Sequence, residues 1–341
     1  MLARIYAQNM RKRISPLIAL ILVMGFSTYV SPTSASSSPS QTAVSELRIC
    51  PKYVFLGMRG SGQKLQPGSD VGVFGPELAS LLSELKKIPA FVGNLESNYP
   101  DAASYKAVGV GLNEEYVNEV RNVAPIALTN LFMSYIKRCE SDTKFILAGY
   151  SQGAYAVHYL VTSLEKPSTP PELKNRILAA ITLANPGNPK TGLMAYLEAL
   201  EDSRVGKDAN DLLFLCAWAA EVTKKNCEKF WGLLAKNAVN DVLPAPKVIP
   251  MFSYYKKQDL VADISSNISF KLLLKTIPEF YAVVIPAAFA SYFSMAKTHS
   301  SYCPKSGPSS KPPTDKCSDS NNADFVKKST KYVIDQLGKQ K

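Results

Sequence analysis

Short apolar runs alternate along the chain with stretches of helical apolar spacing. The runs at 53–56, 145–148, 177–183 and 248–255 have the length and composition of strands, and Phe91 to Asn94 is a further candidate strand. Helical spacing is found at 75–87, 113–138 with an interruption near Pro125, 152–164 and 323–337. Strands that alternate with helices predict an α/β fold, here a three-layer α/β/α sandwich with a mainly parallel sheet.

Two stretches interrupt this alternation, at about 192–245 and 264–297. Both contain apolar, mostly helical material and are too long for simple connections, so we treat them as insertions. The second includes Phe280 to Phe293, which is more apolar than one face of a helix needs for packing on a sheet. Such insertions either pack as extra core helices or cover a binding site, and the sequence leaves both interpretations open.

The N-terminus has the layout of an export signal. Four basic residues precede the apolar run from Ile14 to Phe26, and small residues follow up to Ala35. We interpret 1–35 as a signal peptide, with an uncleaved N-terminal anchor as the alternative, although the run is short for a spanning helix. The Ser-rich stretch 36–46 predicts a flexible linker, so the folded domain is predicted at 47–341, secreted or on the cell surface.

The chain is basic, with a formal net charge of +11. Its lysines are scattered and form only weak clusters, whereas nucleic-acid binding requires clustered Lys and Arg with aromatic platforms. We therefore expect no nucleic-acid partner and interpret the charge as a solvated surface that attracts anionic lipid or cell-wall polymer. The protein is expected to be a monomer.

All six cysteines follow the N-terminal signal, and an even number in an exported chain indicates disulfides. Other pairings stay open, but proximity in sequence favours Cys216–Cys227 and Cys303–Cys317, which leaves Cys50–Cys139. Zinc is the alternative for these cysteines. Because the chain has no C-x-x-C pair and no closely spaced histidines, we expect no metal and no cofactor.

One serine stands where a nucleophile would be expected. The segment from Gly149 to Gly153, Gly-Tyr-Ser-Gln-Gly, matches G-x-S-x-G and lies between a buried run and a helical stretch. In such a turn the serine has a strained backbone, so the positions two before and two after it must be small. The N-terminus of the following helix directs its N–H groups to where an oxyanion would form. The pattern predicts a nucleophile at Ser151, and the alternative is an ordinary strand-to-helix turn.

A nucleophilic serine needs an imidazole base and an acid that orients the imidazole. Of the two histidines, His158 lies seven positions further along the same helix, about 10 Å along its axis, and cannot reach back. His299 lies in a polar segment after the second insertion and is the predicted base. Asp259 follows the 248–255 run by a short polar loop, so we predict it to be the acid, with Asp263 and Asp241 as rivals.

With these residues placed, the chain resembles the cutinase family, small serine esterases with an α/β-hydrolase fold. The resemblance rests on Arg59-Gly60-Ser61, the Ser151 pentapeptide, Asp259-Leu260-Val261, His299 with Tyr302, and the placement of Cys50 and Cys139. It extends over most of Leu47 to Leu337 outside the two insertions. It implies an oxyanion hole formed by Ser61 and the backbone N–H of Gln152. Ala262 stands where the family has the second cysteine of a bridge around the aspartate, which leaves the rigidity of that loop in question.

The resemblance implies an exported serine ester hydrolase that acts on acyl esters of lipid or polyester, with peripheral contact to a membrane or cell envelope. An acyltransferase, phospholipase or thioesterase with the same triad is the alternative, and a non-catalytic surface-binding protein is the alternative from another class. If the second insertion covers the site, we expect its 280–293 run to form part of an acyl-binding wall or lid that favours medium to long chains.

Overall fold

The computed structural model describes residues 50–61, 63, 65, 68–100, 118–139, 142–189, 192, 243–257, 259, 262–263, 302 and 324–340. The predicted signal or anchor at 1–35, the linker at 36–46 and the insertion at 264–297 lie outside these residues. So does the insertion at 192–245, apart from 192 and 243–245.

Five strands of the described chain form one parallel sheet, as the apolar runs predicted. Their order in the sheet is β2-β1-β3-β4-β5. The register brings the carboxyl ends of neighbouring strands to one edge, where Met58 is level with Gly149 and Tyr150 is level with Leu183. The strands are β1 (Tyr53–Met58), β2 (Leu95–Asn98), β3 (Lys144–Tyr150), β4 (Ile177–Leu183) and β5 (Met251–Tyr254).

The helices of the described chain connect or follow these strands. They are α1 (Asp70–Leu85), α2 (Ala124–Arg138), α3 (Gln152–Leu164), α4 (Pro171–Asn175) and α5 (Asp324–Gly338). Helix α1 starts earlier than the sequence indicated, because Ser69 caps it and a kink at Gly75, with φ of 75°, joins an extra turn to it. Near Pro125, where an interruption was predicted, a π-helical turn at Glu119–Val123 runs into α2.

The sheet separates two hydrophobic clusters. On one face, Phe55 packs in a cluster with residues of α1 and with Phe325 of α5. On the other face, Leu56 packs with Phe132 of α2 and Leu160 of α3. Because neighbouring residues of a strand point to opposite faces, β1 is buried on both sides. The described chain therefore forms the predicted three layers, helices on both faces of a parallel sheet.

The prediction of a strand from Phe91 to Asn94 is wrong. This segment forms consecutive turns, in which the N–H of Phe91 donates to the carbonyl of Ile88 and the N–H of Asn94 donates to that of Phe91. Gly93 has a φ of 72°. The Phe91 ring packs edge-on against Tyr53, with centroids 4.8 Å apart. The apolar side chain of Phe91 therefore anchors the turn, and the strand begins only at Leu95.

The 248–255 run is only partly a strand. Before β5 the N–H groups of Lys247, Val248 and Ile249 all donate to the carboxylate of Glu165, at the end of α3. Because these donors are taken by a side chain, they cannot pair with a neighbouring strand. Strand β5 is therefore limited to Met251–Tyr254.

A disulfide joins Cys50, before β1, to Cys139, after α2, across 89 residues of sequence. This confirms the predicted pairing of these two cysteines. The other predicted bridges, Cys216–Cys227 and Cys303–Cys317, lie outside the described residues. Within the described ranges, no helix is both long and apolar enough to cross a membrane.

Candidate active site

Ser151 occupies a strained turn between β3 and α3. Its backbone has φ of 52° and ψ of −114°, a conformation that costs a residue with a side chain on the order of 1–3 kcal/mol. The N–H of Ser151 donates to the carbonyl of Leu183 at 2.8 Å, which fixes the turn to the end of β4. The serine is 6% exposed. The turn thus lies at the carboxyl edge of the sheet, where ligands of parallel α/β sheets bind.

The two glycines of the pentapeptide are required by close backbone packing. A Cβ at Gly149 would lie 2.1 Å from the carbonyl oxygen of Gly153. A Cβ at Gly153 would lie 2.0 Å from the carbonyl oxygen of Met58. Strand β3, helix α3 and the end of β1 therefore approach each other more closely than any larger residue would permit, and this approach holds the serine in its turn.

The loop after β1 packs directly against this turn. A Cβ at Gly60 would lie 2.7 Å from the Tyr150 ring and 3.1 Å from the Cβ of Ser151. The next residue, Ser61, donates its hydroxyl to Oε1 of Gln152 at 2.6 Å. Gln152 is the first residue of α3, so the helix offers its backbone N–H no acceptor. Both residues that the resemblance assigned to an oxyanion hole therefore lie beside Ser151.

A buried network of hydrogen bonds holds this loop in place. The Nε of Arg59 donates to the carbonyl of Gln63 at 2.8 Å, and the N–H of Gly60 donates to Oε1 of Gln63, also at 2.8 Å. The other side-chain atom of Gln63, Nε2, donates to the carboxylate of Glu77 at 2.6 Å. Arg59 is 2% exposed and Glu77 is 4% exposed. No local sequence pattern indicates a role for Gln63 or Glu77, because the bond that joins them links residues 14 positions apart.

Asp259 follows β5 and is completely buried. Its Oδ1 accepts the N–H of Ala262 at 3.0 Å, and its Oδ2 accepts the hydroxyl of Tyr302 at 2.7 Å. The Tyr302 ring packs edge-on against the ring of Tyr150, with centroids 5.8 Å apart. Asp259 is thus linked through Tyr302 to Tyr150, the residue that precedes Ser151. Burial, followed by the charges of Glu77 and Asp259, raises the pKa of Tyr150.

The rivals of Asp259 differ in what the structure describes of them. Asp263 is also buried, and its N–H donates to the carbonyl of Asp259 at 3.0 Å, so both lie in one turn. Asp241 and the predicted base His299 lie outside the described residues. No group of three or more His, Cys, Asp or Glu in the described part of the chain could hold a metal ion.

The other histidine, His158, is a buried structural residue. Its Nε2 is 2.9 Å from the carbonyl oxygen of Pro244, and its Nδ1 is 3.0 Å from Nδ2 of Asn185. Since a carbonyl only accepts, Nε2 carries the proton and Nδ1 accepts from Asn185. Burial lowers the pKa of His158, which favours this neutral form. The histidine links α3 to the end of β4 and to the segment before β5.

Comparison with known proteins adds a family. The model of the family described as Cutinase matches residues 49–228, more than half of the chain. No protein with a curated description has a significantly similar sequence.

Similar solved structures include a cutinase-like protein from Cryptococcus sp., with 15% identity, a TM-score of 0.39, and coverage of 74% of this chain and 97% of that one. An acetyl xylan esterase has 14% identity and a TM-score of 0.38, with 73% and 99% covered. The rice cell wall degrading esterase LipA from Xanthomonas oryzae has 13% identity and a TM-score of 0.32, with 86% and 84% covered. These scores are low, and the assignment rests on the family match.

The matched range includes the loop of Ser61 and the turn of Ser151, and ends before Asp259 and Tyr302. It also includes both cysteines of the disulfide, Cys50 and Cys139. Family match, parallel sheet and serine turn agree with one another. The chain therefore belongs to the cutinase family and is a carboxylic ester hydrolase.

Proposed function

We propose that this hydrolase uses Ser151 as nucleophile, His299 as base and Asp259 as the acid that orients the base. The observation that carries the proposal is the strained turn of Ser151, which lies beside the Ser61 loop and shares the sheet edge with the buried Asp259. Backbone strain at this turn has no structural purpose on its own, whereas a nucleophile needs a side chain held clear of its strand and helix.

In this mechanism His299 removes the hydroxyl proton of Ser151, and the oxygen attacks the ester carbonyl to form a tetrahedral intermediate. His299 then protonates the leaving alcohol as the ester C–O bond breaks, which leaves an acyl group on Ser151. A water molecule, deprotonated by His299, attacks the acyl group, and the serine leaves with the returned proton. Asp259 stays ionised throughout and stabilises the imidazolium.

The position of Tyr302 supports His299 as the base. Tyr302 is buried against Asp259, and His299 precedes it by three residues. Three residues of chain span at most about 11 Å, so the α-carbon of His299 must lie within that distance of the α-carbon of Tyr302. This short connection is compatible with an imidazole that reaches the carboxylate, as the mechanism requires.

Ser61 and Gln152 would form the oxyanion hole, with the backbone N–H of Gln152 as one donor and the Ser61 hydroxyl as another. In this structure the Ser61 hydroxyl donates to the Gln152 side chain. When an oxyanion forms, we expect this hydroxyl to turn towards the greater negative charge. Loss of one such donor in other enzymes costs about 10²–10³ in kcat.

We further propose that the protein is exported and acts on acyl esters of lipid or polyester. The Cys50–Cys139 disulfide supports export, because such bonds persist in oxidising compartments. The basic, apolar and small-residue order of the N-terminus supports it independently. A basic surface favours peripheral contact with an anionic membrane or envelope.

Hydrolysis of p-nitrophenyl butyrate by the wild type and by Ser151→Ala tests the mechanism. We expect the variant to lose at least about 10⁴-fold in kcat/KM, and His299→Ala to lose a similar factor. Ser163→Ala, at the far end of the helix that follows Ser151, is the matched control and should keep wild-type turnover. Unchanged turnover in Ser151→Ala would remove Ser151 from the mechanism. Diversion of the acyl group to an added alcohol would identify an acyltransferase.

A further inference from the structure

The hydroxyl of Tyr302 makes two hydrogen bonds that close the loop carrying Asp259. It accepts the N–H of Lys256 at 2.9 Å and donates to Oδ2 of Asp259 at 2.7 Å. The other carboxylate oxygen accepts the N–H of Ala262 at 3.0 Å. We call these four residues, Lys256, Asp259, Ala262 and Tyr302, the tyrosine clasp. The Tyr302 hydroxyl thus links Lys256, at the start of the loop, to the carboxylate of Asp259. The same carboxylate is bonded to Ala262, at the end of the loop.

The carboxylate and the tyrosine of the clasp are buried, and other aromatic rings pack around the Tyr302 ring. Tyr302 is 1% exposed and Asp259 is 0% exposed. Besides Tyr150, the Tyr302 ring contacts Tyr254 and Phe325, with centroids 6.2 Å and 6.5 Å away. A ring fixed in this way gives its hydroxyl one position. Because this hydroxyl donates to the carboxylate, the orientation of the Asp259 carboxylate depends on Tyr302.

A buried tyrosine commonly finds a hydrogen-bond partner for stability alone. Two features of this one indicate more. Its partner is the carboxylate that the proposed mechanism uses, and the same ring packs against Tyr150, the residue before the proposed nucleophile. The clasp also supplies a hydrogen-bond donor to each oxygen of this buried carboxylate.

We propose that Tyr302 is a positioning residue of the active site, whose hydroxyl holds the Asp259 loop closed and aims its carboxylate at the catalytic base. This inference rests on the proposed function, because it assumes that Asp259 is the acid of the triad. Tyr302 itself need not touch the substrate. Its removal should therefore affect kcat much more than KM.

The hydroxyl also tunes the base indirectly. Without it, Oδ2 of Asp259 loses the donor that Tyr302 supplies, and the carboxylate interacts more strongly with the imidazolium. The pKa of the base then rises, and the acid limb of kcat/KM moves to higher pH. The charged and titratable groups around the clasp are Lys256 and Asp263 in the loop, Glu77 beyond Tyr150, and Asp324 of α5, which accepts the hydroxyl of Tyr254. Removal of the Tyr302 hydroxyl changes none of these charges; at Lys256 it removes only the acceptor of the backbone N–H.

The test is Tyr302→Phe, compared with Tyr254→Phe as matched control. Both changes delete one hydroxyl from the same group of aromatic rings, but that of Tyr254 donates to Asp324 at 3.1 Å and not to the Asp259 loop. We expect Tyr302→Phe to lower kcat about tenfold, to leave KM within about twofold and to raise the acid limb by roughly half a pH unit. We expect Tyr254→Phe to change none of the three.

A double-mutant cycle separates this inference from the proposed function. Urea unfolding of Tyr302→Phe, Asp259→Asn and the double variant measures the coupling of the two side chains without any assay of turnover, and we expect non-additivity of about tenfold in the unfolding equilibrium constant. If Ser151→Ala abolishes turnover while Tyr302→Phe keeps wild-type kcat and pH profile, the positioning role is wrong and the mechanism stands. If Ser151→Ala has no effect, both are wrong, whatever the coupling.

Discussion

At the scale of single residues, the serine turn depends on the absence of two side chains. The space that a Cβ at Gly153 would need is taken by the backbone oxygens of Met58 and Arg59, 2.0 Å and 2.8 Å away. Backbone cannot move aside as the end of a flexible side chain can. The turn of Ser151 and the end of β1 therefore have to separate before any larger residue fits, and the Ser61 loop moves with them.

Gly153→Ala is accordingly expected to lower the free energy of unfolding by about 3 kcal/mol or more, at the upper end of overpacking costs, and to reduce ester hydrolysis. Urea unfolding followed by circular dichroism measures the first effect. Gly338→Ala is the matched control, because nothing lies within 4 Å of a Cβ there. Equal stability of the two variants would show that the helix and strand are not in such close contact.

The residues of the candidate site differ in how easily they are predicted from the sequence. The motif around Ser151 lies within five positions, so strand, turn and helix are visible together. Asp259 was predicted from its place after a strand, and its catalytic role stays a prediction. The support from Gln63 to Glu77 and the bond from Tyr302 to Asp259 link residues 14 and 43 positions apart. Such links depend on how distant segments approach in the fold, and a single sequence has no local pattern for them.

At the scale of elements, the central strands were predicted well and the edges poorly. Strands β3 and β4 are buried along nearly their whole length, so they appear as apolar runs. Edge strand β2 is Leu-Glu-Ser-Asn, half-buried throughout, and has no such run. The neighbouring Phe91 is apolar because it anchors a turn. An apolar run indicates burial, and only in the middle of a sheet does burial also mean strand.

The segment before β5 is held by one carboxylate rather than by a strand. Partial burial alone raises the pKa of Glu165, but the backbone donors of Lys247, Ile249 and Val248, together with the charge of Lys174, outweigh it and lower the pKa. A folded-state pKa below the unfolded value means that the contribution of Glu165 to stability is present above the unfolded pKa. It is lost as the pH falls through the folded pKa.

Glu165→Gln should therefore destabilise the protein near neutral pH by about 1 kcal/mol, since a neutral amide accepts these bonds more weakly. The difference from wild type should shrink as the pH falls below the ordinary pKa of a glutamate and the wild-type carboxylate becomes protonated. Urea midpoints at several pH values measure it. Glu172→Gln, at an exposed position of α4, is the control. A difference that stays constant down to pH 3 would contradict the role of the charge.

At the scale of the whole molecule, the disulfide closes a loop that contains β1, α1, β2 and α2. Hydrogen bonds also hold the two ends of this loop together, independently of the disulfide. Thr143 donates its hydroxyl to the carbonyl of Pro51 at 3.0 Å, and the N–H of Lys144 donates to the carbonyl of Lys52 at 2.9 Å. Arg176 donates to the carbonyls of Thr143 and Cys139. The folded arrangement should therefore survive loss of the covalent bond.

The disulfide is then expected to act mainly in the unfolded chain, where it keeps two residues together that are 89 positions apart in sequence. In the chain-entropy description a loop of this length is worth about 4–5 kcal/mol. A variant with Cys50→Ala and Cys139→Ala should keep the wild-type circular dichroism and ester hydrolysis at low temperature, because the hydrogen bonds and the sheet remain. Its free energy of unfolding should be lower by about that amount. If the double variant instead kept the wild-type stability but changed in activity, the entropic explanation would be wrong. The disulfide would then act in the folded state, at the sheet edge opposite the serine.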